Sequence, residues 1–142
     1  MLAQILLALL LTAATVIVHA AGLVRVVTPF SGIWPKQDLS GQEAVVPLIR
    51  LISGLLVLHL IEMGVWAAAY AATGVLPDFE TSLYYSLTSY TTVGYGDVVL
   101  PAAWRLVGPI EAAVGVLMLG LSTGVIVAAV QRIYSRRLDS RR

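Results

Sequence analysis

Three long apolar stretches, separated by two more polar ones, dominate the pattern along the chain. The first runs from Met1 to Val24, with no formal charge before Arg25. The second lies between Arg50 and Pro77 and is interrupted only by His59 and Glu62. The third lies between Arg105 and Arg132 and is interrupted only by Glu111. Hydrocarbon about 30 Å thick needs roughly 20 apolar helical residues to cross it, so each stretch predicts a transmembrane helix. Composition agrees: 58% of the residues are hydrophobic and 12% charged, which is about half the charged fraction of a soluble domain. A chain of 142 residues cannot hide that much apolar surface in its own core. Lipid must cover the remainder. The expected class is an all-α membrane protein.

The two polar stretches differ in kind. Residues 29–46 hold Pro29, Gly32, Pro35 and Gly41 and read as a connector, in which Phe30 and Trp34 suit the headgroup layer. The segment from Leu76 to Trp104 is too short for two further crossings and is rich in Tyr, Ser, Thr and Gly. Pro77-Asp78 predicts a helix start with Asp78 as N-cap and Glu80 in the first turn, and hence a short helix from Phe79 to Tyr90. An extended run follows. Non-helical backbone at membrane depth survives only where protein covers it or where it lines a water-filled path, so this segment predicts a re-entrant loop.

Arginines set the expected orientation. Arg132, Arg136, Arg137, Arg141 and Arg142 place the C-terminus in the cytoplasm. Three spans then put the N-terminus outside, the connector inside and the re-entrant loop outside, and Arg25 and Lys36 agree. A cleaved signal peptide ending near Ala20 or Ala21 would reverse the loop, but a basic n-region is missing. The resulting organisation is an accessory helix at 1–28, a cytoplasmic connector at 29–46, an outer helix at 47–76, a short helix and loop at 77–104, an inner helix at 105–135 and a basic tail at 136–142. The tail reads as a positive-inside anchor, with anionic lipid as its sharper alternative partner. A net charge of +1 argues against nucleic acid, and the lack of cysteine removes disulfides and thiolate sites.

The extended run reads Thr91-Thr92-Val93-Gly94-Tyr95-Gly96-Asp97. It resembles the selectivity-filter signature of the potassium-channel family, unbroken over seven residues. The resemblance covers roughly Pro47 to Tyr134 and is closest to small bacterial channels with a two-helix pore, here with one extra helix in front. It implies a homotetramer in the cell membrane, a bacterial inner membrane, conducting K+ as a permeant ion with no other cofactor. It also implies ion sites at the carbonyls of Thr92, Val93, Gly94 and Tyr95, with the Thr92 hydroxyl at the inner end and Gly96 completing the run. A desolvated potassium ion needs oxygens at the spacing of its lost water, and a ring of backbone carbonyls supplies them. Gly94 and Gly96 permit the positive φ that turning neighbouring carbonyls one way demands. By the same resemblance Tyr84 and Tyr85 form an aromatic cuff that receives the Tyr95 ring. Asp97 ties the filter to the pore helix, and Thr91 and Thr88 support it from behind. Thr88 stands where some relatives carry an acid.

Weaker features complete the reading. Gly115, Gly120 and Gly124 on the third span are either a gating hinge or close-packing positions. Ser122 and Thr123 either face a wet cavity or bond back to their own helix. Pro109 either bends that helix or starts it. His59 and Glu62 share a helix face, roughly 14 and 18 Å into the membrane from Arg50. Intramembrane ionisable residues are functional candidates, and His19 is expected to meet this pair and dock the first helix. Glu111 is expected to pair with Arg105 or, as the lesser alternative, with a neighbouring subunit. No nucleophile–base pair, phosphate loop or metal-ligand cluster appears, so no enzymatic step is expected. A ladder of arginines is absent from the first span, so a voltage sensor of that type is not expected either. The competing functions are a weakly selective cation channel, a transporter subunit and a non-conducting regulatory subunit.

Overall fold

The computed structural model describes residues 2–33 and 45–139, with side chains over 2–28, 45–133 and at 135. Four helices account for the described residues: α1 (Leu2–Ile33), α2 (Val45–Ala72), α3 (Phe79–Tyr90) and α4 (Val107–Asp139). No strand occurs among them. Three are long and apolar enough to cross a membrane, over Leu2–Thr28, Val45–Ala72 and Val107–Ile133. Only about a quarter of each span is buried within the chain. Leu10, Ile17, Leu56, Ile61, Leu117 and Leu121 all present their side chains outward, to lipid or to other protein. The protein is an all-α, multi-pass membrane protein.

The boundaries follow from local chemistry. The α1 helix continues through Pro29 to Ile33 rather than stopping at residue 28. A proline removes one backbone donor, and the apolar residues before it keep the helix going. Residues 34–44 of the connector lie outside the described residues, and so do Arg141 and Arg142 of the tail. In α2, Pro47 falls in the first turn, where its missing N–H is no loss. Gly74, at φ +66°, turns the chain out of that helix, with Val75 N–H reaching back to the Tyr70 carbonyl at 3.3 Å. Asp78 then caps α3, its carboxylate accepting from the Thr81 N–H at 2.7 Å. That bond holds the Asp78 carboxyl below the usual carboxylate range. In α4, Pro109 is the third residue and lies among the donors that need no helical partner. It lies at the start of the helix and not in its interior.

α3 packs between α2 and α4, and α1 packs on α2 and α4. The main core joins Ala8 and Leu11 of α1, Trp66 and Tyr70 of α2, Tyr85 of α3, Val107 of α4, and Leu76 and Leu100 from the connecting turns. Small residues let α1 and α2 approach closely: a Cβ on Gly22 would run into the Leu58 side chain, and one on Gly54 would crowd Val26. A buried polar contact helps pin this interface: Trp66 Nε1 donates to Thr15 Oγ1 at 2.9 Å. Thr15→Val leaves that indole N–H without an acceptor. It should lower the stability of the folded chain in detergent by about 1 kcal/mol, whereas Thr15→Ser should not. Thermal unfolding of the two variants beside the parent protein measures this.

Candidate functional site

The site is built at the C-terminal end of α3 and in the residues that follow. The depth of this end is set by side chains. The Tyr90 hydroxyl donates to the Glu62 carboxylate, and Ser86 Oγ lies 2.9 Å from the Met63 carbonyl oxygen. Glu62 and Met63 are near the middle of α2, so α3 ends about halfway across the span. The chain then leaves helical geometry. Thr91 Oγ1 donates to the Leu87 carbonyl at 2.6 Å, Thr92 N–H to Ser89 at 2.9 Å and Gly94 N–H to Thr88 at 3.0 Å. The orphan carbonyls of the last helical turn are thereby satisfied by the segment that leaves it.

Within that segment φ is positive at every second residue: +62° at Thr92, +49° at Gly94 and +79° at Gly96. A Cβ at Gly94 or Gly96 would meet nothing within 4 Å in this chain, so backbone conformation and not space demands glycine there. Thr92 is the informative exception. A β-branched residue in the left-handed region costs on the order of 1–3 kcal/mol, and a glycine there would avoid it. Thr92 thus holds a conformation that its side chain disfavours, between the end of α3 and the two glycines. Reversing the hand of φ at alternate residues turns successive peptides the same way, in contrast to the opposed peptides of a strand. The segment runs back beside α3, and Asp97 closes it. Its Oδ2 accepts from the Tyr84 hydroxyl at 2.6 Å and its Oδ1 from the Val98 N–H at 3.0 Å. The hydrogen bond lowers the Asp97 carboxyl below the usual range and raises the Tyr84 hydroxyl above its own. Residues 92–97 otherwise stand open: Val93 is 51% exposed and Tyr95 73%.

A family model described as ion channel matches residues 54–132, more than half of the chain. The chain belongs to the ion channel family. No curated protein and no solved structure matches it. The matched stretch takes in most of α2, all of α3 and the open segment of the channel, and α4 as far as Arg132.

The channel distributes the residues expected from its sequence unevenly. Tyr84 reaches Asp97, but Tyr85 turns the other way into the core, edge-on to Tyr70 at a centroid distance of 5.3 Å. Adjacent helical residues point about 100° apart, so the two tyrosines cannot serve one surface within a single chain. The Thr88 hydroxyl is occupied by the Tyr85 carbonyl at 3.0 Å. The α4 glycines separate as well. A Cβ on Gly115 would overlap the Tyr90 carbonyl oxygen, so Gly115 is where α4 meets the end of α3 backbone to backbone. Gly120 and Gly124 meet nothing in this chain. Thr123 bonds back to the Leu119 carbonyl, while Ser122 turns inward to His59.

His19, His59 and Glu62 are brought together. His19 Nδ1 lies 2.8 Å from Glu62 Oε1, and His59 Nδ1 lies 3.3 Å from Glu62 Oε2 and 3.1 Å from the Tyr90 hydroxyl. This brings three metal-competent side chains into one group, with His19 meeting the His59 and Glu62 face as expected. Glu111 does not pair with Arg105. It is fully buried, accepts from the Tyr70 hydroxyl at 2.7 Å and lies 2.5 Å from Ser86 Oγ. Arg105 is exposed in the turn before α4, whereas Glu111 faces inward from the first turns of the helix. Tyr70, Ser86 and Tyr90 were not singled out by the sequence. Their signal was Ser82, Ser86 and Tyr90 at i, i+4 and i+8, a polar stripe on the buried face of α3 where apolar residues are usually sought.

Two measurements check this geometry. Gly115→Ala pushes a methyl group against a backbone oxygen that cannot swing away, so thermal unfolding in detergent should show a loss of about 2 kcal/mol or more. The Asp97–Tyr84 link should be intact above the ordinary aspartate pKa of about 4 and weaken only as pH falls through the lowered value. Tyr84→Phe should move the Asp97 titration back up toward that ordinary value, read from its carboxyl-carbon resonance.

Proposed function

We propose that this ion channel is potassium-selective and passive, with its ions held by the carbonyls of Thr92, Val93, Gly94 and Tyr95 and by the Thr92 hydroxyl. The observation that carries the reading is the open segment from Thr92 to Asp97. Positive φ alternates along it, its residues are exposed, and it begins halfway across the span. Backbone of that kind cannot face lipid and must be covered by protein or line an aqueous path. One chain supplies a single wall of such a path, so identical copies supply the others. Four chains around an axis give each ion site a ring of carbonyls, which is what a dehydrated potassium ion requires. The partner of this chain is thus itself, in a homotetramer, with the Tyr95 rings packing against neighbouring subunits.

The C-terminal end of α3 carries roughly half a negative charge and faces the same axis, where it favours a waiting cation. Asp97 stands at the outer mouth, and the arginines after α4 lie in the cytoplasm of a bacterial inner membrane, either as a simple anchor or against anionic lipid. No enzymatic step and no cofactor beyond the permeant ion are part of this reading.

Flux from liposomes holding the purified protein tests it. A potassium gradient should drive flux and an equal sodium gradient should not. Equal flux of both would discard the selectivity. Gly94→Ala, which has room for its methyl group but not for the backbone angle, should reduce potassium flux at least tenfold while the four-chain mass in detergent stays unchanged.

A further inference from the structure

The proposed ion path leaves one cluster without a role. His19 of α1 and His59 and Glu62 of α2 meet between helices, 2%, 4% and 0% exposed, and one donor atom from each lies within 4.8 Å of the others. We propose that these three side chains bind a late first-row divalent cation, with zinc as the natural probe, and that the ion clamps α1 to the pore-forming helices. The site goes beyond potassium conduction and does not depend on it.

The chemistry of the donors selects the ion. Two imidazoles and a carboxylate suit zinc and its neighbours, whereas calcium and magnesium take oxygen ligands almost alone. Two nitrogen–oxygen distances come near those of a zinc site. Ligands around a four-coordinate zinc lie about 3.3 Å apart. His19 Nδ1 and His59 Nδ1 already stand 2.8 and 3.3 Å from the two oxygens of Glu62. The Tyr90 hydroxyl, 3.1 Å from His59 Nδ1, offers a fourth ligand. Outside this group, Ser122 Oγ sits 2.9 Å from His59 Nε2 and fixes the ring, the usual arrangement behind a metal-bound histidine.

Hydrogen bonding alone accounts for the cluster poorly. His59 Nδ1, Glu62 Oε2 and the Tyr90 hydroxyl form a triangle of three close contacts. With Glu62 ionised, the imidazole nitrogen and the phenol bring at most one proton each, so one edge has none. His19 Nε2, buried without a hydrogen-bond partner, takes no part, since the ring faces the group through Nδ1. A cation at the centre of the donors turns facing lone pairs from a cost into ligands. It would also balance the Glu62 charge, which is expensive to bury in a span. α1 and α2 reach it directly, α3 through Tyr90 and α4 through Ser122.

The test uses the full chain in detergent, stripped with a chelator, reloaded with Zn2+ and freed of excess by gel filtration. Elemental analysis should find one zinc per chain. Co2+ in its place should give the intense visible bands of a four-coordinate site, displaced by zinc. His59→Asn and Glu62→Gln keep size and hydrogen bonding but are poor ligands, and each should weaken binding at least about tenfold. His59→Cys supplies a thiolate instead and should retain the ion. Helix content by circular dichroism shows that the variants are folded. Zinc no higher in the parent protein than in His59→Asn, or a cobalt spectrum of the six-coordinate aquo type, overturns the proposal. If the variants fail to fold, the parent's stoichiometry and cobalt spectrum decide it alone. None of these readouts involves flux, so failure of the potassium reading and failure of the metal site are separately visible.

Discussion

Inside a bilayer no water is available to satisfy a stray peptide group, and this constraint governs nearly every feature of the chain. Three helices meet it by bonding internally along their length. α3 cannot, because it stops at mid-depth, and its last carbonyls are closed by the segment that leaves it. That segment then exposes its own backbone, and none of the described residues covers it. This exposed stretch has an unusual backbone, with a β-branched residue held at φ +62° between a helix end and two glycines.

A second layer holds that stretch from behind. Ser86 and Tyr90 on one face of α3 reach Glu111 of α4 and Glu62 of α2, while Tyr84 on another face holds Asp97. Glu62 and Glu111 do the fixing because a buried carboxyl group must be hydrogen-bonded, and donors converge on it wherever it sits. Gly115 adds a backbone-to-backbone contact with no side chain to give way. The short helix is thus gripped on two sides, a rigid seat for a segment whose own contacts are few.

What could be read in the sequence divides along physical lines. Hydropathy marks the three spans, because crossing lipid allows few other compositions, and Asp78 with Glu80 marks the start of α3 because the cap is local chemistry. The meeting of His19 with His59 and Glu62 was open to reasoning since polar groups in a span must find each other. The partners of Glu111 were not. Arg105 is near it in sequence, yet the helix begins between them and turns the carboxylate toward Tyr70 and Ser86. The parting of Tyr84 and Tyr85 and the positive φ of Thr92 were likewise hidden, the first because it depends on where α2 and α4 lie, the second because threonine argues against it.

The family match begins at residue 54, beyond α1, yet α1 sends His19 to the carboxylate at the heart of the matched region. This has a consequence for biogenesis. α2 enters the membrane carrying an acid that has no partner on its own helix except a neighbouring histidine, and a lone acid is a poor passenger for the insertion machinery. With α1 already in the bilayer, an imidazole and a close-packed groove wait for it. The leading helix thus acts as an intramolecular escort, admitting a segment that would be reluctant to partition alone. A shortened chain lacking it would be not a minimal pore but a chain with its hardest insertion step unassisted.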